Sequence, residues 1–164
     1  MTDVFNGLIN SDGAAIHGAE IGLTWKPHHS LSFQLESAWV DAAYTADVAG
    51  TAITRGSPVY NTPRLTWGAT GEYQRAIATG MQGVARAGVR YHSARQASLT
   101  QGSPGDDILS AHVRLGVETA TGWSLALYGD NLTNEQGADD ARTTRGVATR
   151  LRPRTLGIEL EVRY

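Results

Sequence analysis

The chain has no cysteine in its 164 residues, so disulfide frameworks and thiolate metal sites are excluded. No segment approaches the roughly 18 consecutive apolar residues of a transmembrane helix, which excludes an α-helical membrane protein. Neither sign of charge dominates, because the formal net charge is −2. We therefore expect no binding to nucleic acid through bulk charge. The mean hydropathy is negative, but this does not exclude a membrane barrel, in which half of each strand faces a polar interior.

The last eleven residues alternate strictly between apolar and polar side chains. One parity holds Leu156, Ile158, Leu160, Val162 and Tyr164, and the other holds Gly157, Glu159, Glu161 and Arg163. This period of two is typical of a strand with one apolar face. The chain ends on an aromatic ring that shares the apolar parity. An outer-membrane strand would place that ring at the membrane–water interface.

Six earlier segments show the same alternation, and together they predict an all-β fold. They are 19–25, 31–40, 65–73, 85–92, 109–118 and 123–130. With the terminal segment 154–164 they give about seven strands of roughly nine to twelve residues, the length a tilted strand needs to cross a bilayer. Residues 1–10 offer the tail of an eighth. The prediction is an antiparallel up-and-down transmembrane β-meander, a partial barrel of about 7–8 strands.

The connections between these segments alternate in length. Short breaks at 26–30, 75–82 and 119–122 alternate with long polar stretches at 42–63, 93–107 and 132–153. Outer-membrane barrels have short turns on one side and long loops on the other.

Seven aromatic residues lie near the strand ends, all on the apolar parity: Trp25, Trp39, Trp67, Tyr73, Tyr91, Trp123 and Tyr164. This predicts two aromatic girdles that bound an apolar band. A soluble up-and-down barrel or sandwich also has alternating strands, so alternation alone leaves the direction of each face open. Strand length, loop asymmetry and the girdles together favour the membrane, with the charged parity facing the interior.

Three stretches resemble those of TonB-dependent receptors, the large plugged barrels of the Gram-negative outer membrane. The segment Gly18-Ala-Glu-Ile-Gly-Leu23, with Pro27 and Leu31-Ser-Phe33, is similar to the family's strand–turn–strand motif. Tyr128-Gly-Asp-Asn-Leu-Thr-Asn134 resembles its penultimate strand and the following corner. Pro153-Arg-Thr-Leu-Gly-Ile158 through Tyr164 resembles its final strand.

The resemblance implies that residues 1–164 form the C-terminal part of such a barrel, which has about 22 strands in the family. It implies energy-coupled uptake of a scarce solute such as a ferric siderophore, and a location in the outer membrane. Implied partners are outer-membrane lipid and lipopolysaccharide, the assembly machinery, which would recognise Leu160, Val162 and Tyr164, and the TonB system through a part missing here. No segment for a plug domain or for a secretory signal is found, so we expect a piece of a longer chain.

No catalytic constellation is found, so we expect no enzyme activity and no cofactor. Three features have alternative interpretations. The pair His28-His29 in a short turn is a metal site or a solvated turn. The pairs Asp106-Asp107 and Asp139-Asp140 are calcium ligands or ordinary loop acids.

A basic cluster lies in or beside the last long loop: Arg142, Arg145, Arg150, Arg152 and Arg154. Guanidinium groups bind carboxylates and phosphates through two parallel hydrogen bonds. The cluster is therefore a candidate site for an anionic ligand such as a ferric chelate. It is equally a candidate for lipopolysaccharide phosphates, or a solvated loop balanced by Asp139 and Asp140.

Two other functions remain open at this stage. One is a complete eight-stranded outer-membrane barrel with an adhesive or structural role, because eight strands close around a filled interior. The other is a soluble β-barrel binding module.

Overall fold

The computed structural model describes residues 13–96, 103–140 and 148–163. These residues form seven strands and no helix, so none of them belongs to a helix able to span a membrane. The strands are β1 (Ala14–His28), β2 (Leu31–Tyr44), β3 (Leu65–Ala78), β4 (Met81–His92), β5 (Ile108–Thr119), β6 (Trp123–Asp130) and β7 (Thr155–Val162).

The strands form one sheet in which spatial order equals chain order, β1 to β7, with each neighbouring pair antiparallel. The predicted all-β antiparallel meander is confirmed. Over the part of the chain that the structure describes, β1 and β7 are not paired with each other, so the sheet is open. The predicted eighth strand, residues 1–10, lies outside the described residues.

Two predicted breaks are shorter in the structure. The predicted break over 75–82 is wrong. Strands β3 and β4 pair as far as Ala78 and Met81, which leaves only a tight turn at Thr79-Gly80. Gly80 has φ +71°, a left-handed conformation that glycine adopts without strain. The break over 26–30 is likewise a turn at His29-Ser30, and β1 continues through Pro27 with a register shift between Trp25 and His28.

The register gives the sheet two chemically different faces. Residues directly opposite on paired strands share a face. Leu23 lies opposite Leu35, and Leu115 lies opposite Leu127, which in turn lies opposite Ile158. We call this side the apolar face. The other side, the polar face, holds Glu20, Glu36, Glu72, Arg86, Arg90, His112, Arg114, Glu118 and Glu159.

The sheet itself has little interior. The buried apolar residues of the described chain are Ala42, Val48, Ile53, Ile108, Ala126 and Ala138, and three of them, Val48, Ile53 and Ala138, belong to the long loops. Large side chains on the apolar face stay uncovered, with Leu115 52% and Ile158 71% exposed. An apolar surface of this kind marks a contact with lipid or with another protein surface.

Candidate functional site at the loop end of the sheet

Three long loops leave the same end of the sheet, which we call the loop end. They are loop 1 (45–64), loop 2 (93–107) and loop 3 (131–154). The opposite end has only the tight turns at 29–30, 79–80 and 120–122. Because successive strands are antiparallel, every second connection returns to the same end, so the three loops lie together.

Loops 2 and 3 are hydrogen-bonded to each other around a buried alanine. Ala138, which is 0% exposed, donates its N–H to Asp106 Oδ2 at 2.7 Å. Its carbonyl accepts the N–H of Asp106 at 2.8 Å. A Cβ on Gly105 would lie 3.0 Å from the carbonyl oxygens of Ala138 and Asp140, so a side chain there would force the two loops apart by a few tenths of an ångström.

Three charged residues link the end of β4 to loop 3. His92 Nε2 lies 2.7 Å from Asp139 Oδ1, and Arg95 Nη2 lies 3.7 Å from the same oxygen. The other ring nitrogen of His92, Nδ1, lies 2.9 Å from the carbonyl oxygen of Ser93. The His92 side chain is only 12% exposed. We call His92, Arg95 and Asp139 the loop clasp.

The corner after β6 is organised by a buried asparagine. The Asn131 side chain donates to the carbonyl oxygens of Glu135 and Arg152, at 2.9 and 2.8 Å. Its Oδ1 accepts the N–H of Glu135 at 2.8 Å. Asn131 and Asn134 have φ +49° and +54°, conformations that asparagine tolerates better than most residues. The motif 128–134 therefore fixes the backbone of Arg152 beside the end of β6.

The two described arms of loop 3 are joined to each other. Ala138 and Arg150 form an isolated antiparallel bridge. Thr149 donates its N–H and its hydroxyl to the carboxylate of Asp140, at 2.7 and 3.0 Å. These hydrogen bonds, the backbone one above all, lower the pKa of Asp140. The guanidinium of Arg150 donates to the carbonyl oxygen of Gln136.

The structure describes three members of the predicted arginine cluster, Arg150, Arg152 and Arg154. Arg142 and Arg145 lie outside the described residues. Arg150 is engaged with the backbone of loop 3. Arg152 is exposed and lines a cavity with Arg90, His112 and Tyr128, all three from the polar face. Arg152 thus shares a cavity with Arg90, and Arg150 does not line that cavity.

Arg90 differs from the other two arginines in the middle of the polar face. Arg86 donates to Glu72 on β3, and Arg114 donates to Glu159 on β7. In the regions that the structure describes, Arg90 has no hydrogen bond or ion pair. It lines a second cavity with Glu20, Glu36, His92 and Arg95.

The aromatic residues occupy both ends of the apolar face. Trp25 stacks on Phe33 near the tight turns, with ring centroids 5.5 Å apart. Trp67 stacks on Tyr91 near the loop end, with centroids 5.8 Å apart. Trp39 lies opposite Leu65 at the loop end, and at the turn end Tyr73 and Trp123 lie opposite Leu31 and Val162. Their role as membrane girdles stays a prediction.

The predicted assembly signal lies mostly in β7. Leu160 and Val162 lie on the apolar face opposite Leu125 and Trp123. Tyr164 lies outside the described residues. The role of the three in assembly stays a prediction.

Sequence reasoning missed the loop clasp, because its residues are far apart in the chain. The sequence left the aspartate pairs open as calcium ligands or ordinary loop acids. In the structure, Asp106, Asp139 and Asp140 hold loops together, and Asp107 accepts the N–H of Ala94 at 2.7 Å. Within the described ranges, no group of three or more histidine or acidic side chains converges as a metal site. Alternation of polar and apolar residues carries no signal for such loop contacts.

Comparison with known proteins supports the architecture. No family model matches the chain, and no curated protein matches its sequence. The fold is an open, seven-stranded antiparallel meander. The chain is similar to part of the crystal structure of BauA, the ferric preacinetobactin receptor from Acinetobacter baumannii. The TM-score is 0.67 at 15% sequence identity, over 91% of this chain and 22% of that receptor.

Proposed function

We propose that the chain forms part of the wall of an outer-membrane receptor barrel of the TonB-dependent type. The observation that carries the proposal is the apolar face, which runs across all seven strands and has aromatic residues at both ends. A surface of this size facing water would favour aggregation. Lipid is the environment that accepts it along its whole width.

The dimensions of the apolar face support a membrane setting. From Met81 to Tyr91, β4 presents alternate residues to this face over ten residue steps. At about 3.3 Å per step this is about 33 Å along the strand. A tilt of about 40° reduces it to about 25 Å, the height of the apolar band in outer-membrane barrels. The polar face would then line the interior, where Arg86–Glu72 and Arg114–Glu159 neutralise one another.

A wall segment requires partners at both edges of the sheet. We propose that β1 and β7 pair with further strands of the same barrel. Each backbone N–H or C=O group left unpaired in lipid costs on the order of several kcal/mol. Other proposed partners are lipid, lipopolysaccharide and the assembly machinery, with the TonB system reached through another part of the protein. We propose neither an enzyme activity nor a role in nucleic-acid binding.

The proposed cargo is a scarce anionic solute such as a ferric siderophore, by analogy with the receptor whose fold the chain shares. The feature of the chain that supports an anionic cargo is the pair Arg90 and Arg152. Both are exposed and line one cavity on the polar face. Within the described residues neither guanidinium is in an ion pair, so both are available to bind a carboxylate.

The membrane setting is tested by the depth of two labels on β5. The chain has no cysteine, so single cysteines at Leu115 and Ser110 carry a fluorophore without side reactions. In lipid bilayers, brominated acyl chains should quench the fluorescence of the label at 115. The label at 110 should be quenched by aqueous iodide instead. Iodide quenching at both positions would contradict the proposal.

The anionic cargo is tested separately, with citrate and ferric citrate as probes. Arg90→Gln and Arg152→Gln should each weaken binding by about tenfold, the loss of one charge-assisted contact. Arg75→Gln is the matched control, because Arg75 lies on the apolar parity at the turn end. An equal loss in all three variants would show that only bulk charge matters.

A further inference from the structure

The ring of His92 contacts two atoms that only accept hydrogen bonds. Nδ1 lies 2.9 Å from the Ser93 carbonyl oxygen, and Nε2 lies 2.7 Å from the Asp139 carboxylate. A neutral imidazole carries one N–H, so one of these contacts would then set a lone pair against an oxygen. The imidazolium has two N–H groups and satisfies both. The geometry thus fits the protonated ring.

We propose that the loop clasp is a pH-dependent lock that holds residues 138–140 against the loop end when His92 is protonated and releases them when the ring loses its proton. A group whose protonated form gains contacts in the closed state stabilises that state at low pH and ceases to do so as pH rises. Histidine ordinarily changes charge between about pH 5 and pH 8.

Both acidic and basic side chains surround His92, so its surroundings are compatible with the protonated and with the neutral ring. Asp139 from loop 3 touches the ring, and Arg95 from loop 2 approaches the same carboxylate. On the polar face, Arg90 from β4, Glu36 from β2 and Glu20 from β1 line the adjoining cavity. The residues opposite His92 on the neighbouring strands, Thr66 on β3 and Ile108 on β5, carry no charge. After deprotonation of the ring, the contact between Arg95 and Asp139 remains, but at 3.7 Å it is too long for a hydrogen bond.

Release of Asp139 would reach the rest of loop 3 through the backbone. Asp139 donates its N–H to the carbonyl oxygen of Thr149 at 2.8 Å. The preceding residue, Ala138, bridges Arg150 and is bonded to Asp106. Opening the clasp therefore loosens the segment that carries Arg150 and the contact between loops 2 and 3. The inference does not depend on what the receptor transports.

Amide hydrogen exchange at Ala138 measures the lock in the full chain refolded in lipid. After correction for intrinsic exchange, protection at pH 5 should exceed protection at pH 8 by about tenfold, the value of one hydrogen bond to a charged group. In His92→Gln the pH dependence should vanish. His112→Gln is the matched control, because His112 lies on the same face without any hydrogen bond in the described ranges, and it should keep the dependence.

Ring spectroscopy on the unsubstituted chain tests the lock without a variant. At pH 5, both ring nitrogens of His92 should show the ¹⁵N shifts of an imidazolium while Ala138 is protected. A neutral tautomer with Ala138 equally protected would overturn the proposal. So would a pH dependence that persists in His92→Gln.

Discussion

Arg114 on β5 reaches across β6 to Glu159 on β7, with Nη2 2.7 Å from Oε1. The residue of β6 opposite Glu159 is Ala126, which is 2% exposed and lies beneath the pair. Three strands are thus linked by one ion pair that passes over a small side chain. The pair also compensates for the position of Arg114 opposite Arg86, since like charges on facing residues destabilise a sheet.

Replacing either member of this pair should destabilise the sheet more than replacing both. Arg114→Gln leaves Glu159 without its partner, whereas the double variant with Glu159→Gln leaves no charge behind. Urea unfolding in detergent should therefore give a favourable coupling free energy between Arg114 and Glu159. The pair Arg163–Glu161, 79% and 46% exposed, is the control and should show less coupling because water screens it.

The ring of Tyr128 covers Gly157 on the neighbouring strand, and this contact is a second point of sensitivity. A Cβ on Gly157 would lie 2.5 Å from the Tyr128 ring, so Gly157→Ala should cost about 1–3 kcal/mol of unfolding free energy. Gly22→Ala on β1 should be close to neutral, because nothing lies within 4 Å of its Cβ. Equal losses in urea unfolding would show that the ring moves aside freely. The double variant with Tyr128→Ala should recover part of the loss.

The two faces of β5 should respond differently to a new charge. Leu115→Arg places a guanidinium on the apolar face and should cost about 2–4 kcal/mol in lipid, the typical value at the bilayer midplane. Ser110→Arg on the polar face should cost much less. Folding titrations into bilayers measure both. Similar costs at the two positions would mean that the assignment of the faces is wrong.

Acid should open the contact between Asp140 and Thr149. The lowered pKa means that the folded state favours the carboxylate, so this contact stabilises the loop at neutral pH. The stabilisation is lost as pH falls through the lowered pKa. Carboxyl ¹³C shifts should give Asp140 a midpoint below the ordinary aspartate value of about 3.9. In Asp140→Asn, exchange of the Thr149 amide should be fast at neutral pH already.

Loss of the terminal aromatic residue should impair assembly. Deleting Tyr164 should lower the amount of protein in the outer membrane, because Leu160, Val162 and Tyr164 form the predicted recognition strand. Tyr164→Phe keeps an aromatic ring and should assemble normally. Quantitative blots of membrane fractions give the measurement. Unchanged insertion after the deletion would contradict the hypothesis that Tyr164 is part of the recognition strand.

The strands were predictable from the sequence wherever polarity alternates. The alternation fails where Arg75 takes an apolar-face position opposite Gly83, so the pairing of Ala76 with Gln82 had no pattern to reveal it. At the start of β1, Ile16 and His17 reverse the parity, and the strand begins at Ala14 instead of Ala19. Backbone pairing continues through such residues because the ladder hydrogen bonds do not depend on side-chain polarity.

The loop end was much less predictable than the strands. The sequence identified the Asn131 corner through its likeness to a known motif, but not its hydrogen bond to Arg152. The contact between His92 and Asp139 joins residues 47 positions apart. The order of the strands in the sheet brings these two residues together, and no periodicity of the sequence predicts their contact.

Because every strand pairs with its neighbours in the chain, the hairpin is the unit of this sheet. The strand order equals the chain order over the described residues, so removing or adding one hairpin leaves all remaining strands with partners of the same direction. Sheets of this kind have mostly short-range pairings, which lowers the entropy cost of forming each new pair. A sheet built this way is able to change its width by gene duplication or deletion in steps of two strands, without any rearrangement of the strands that remain.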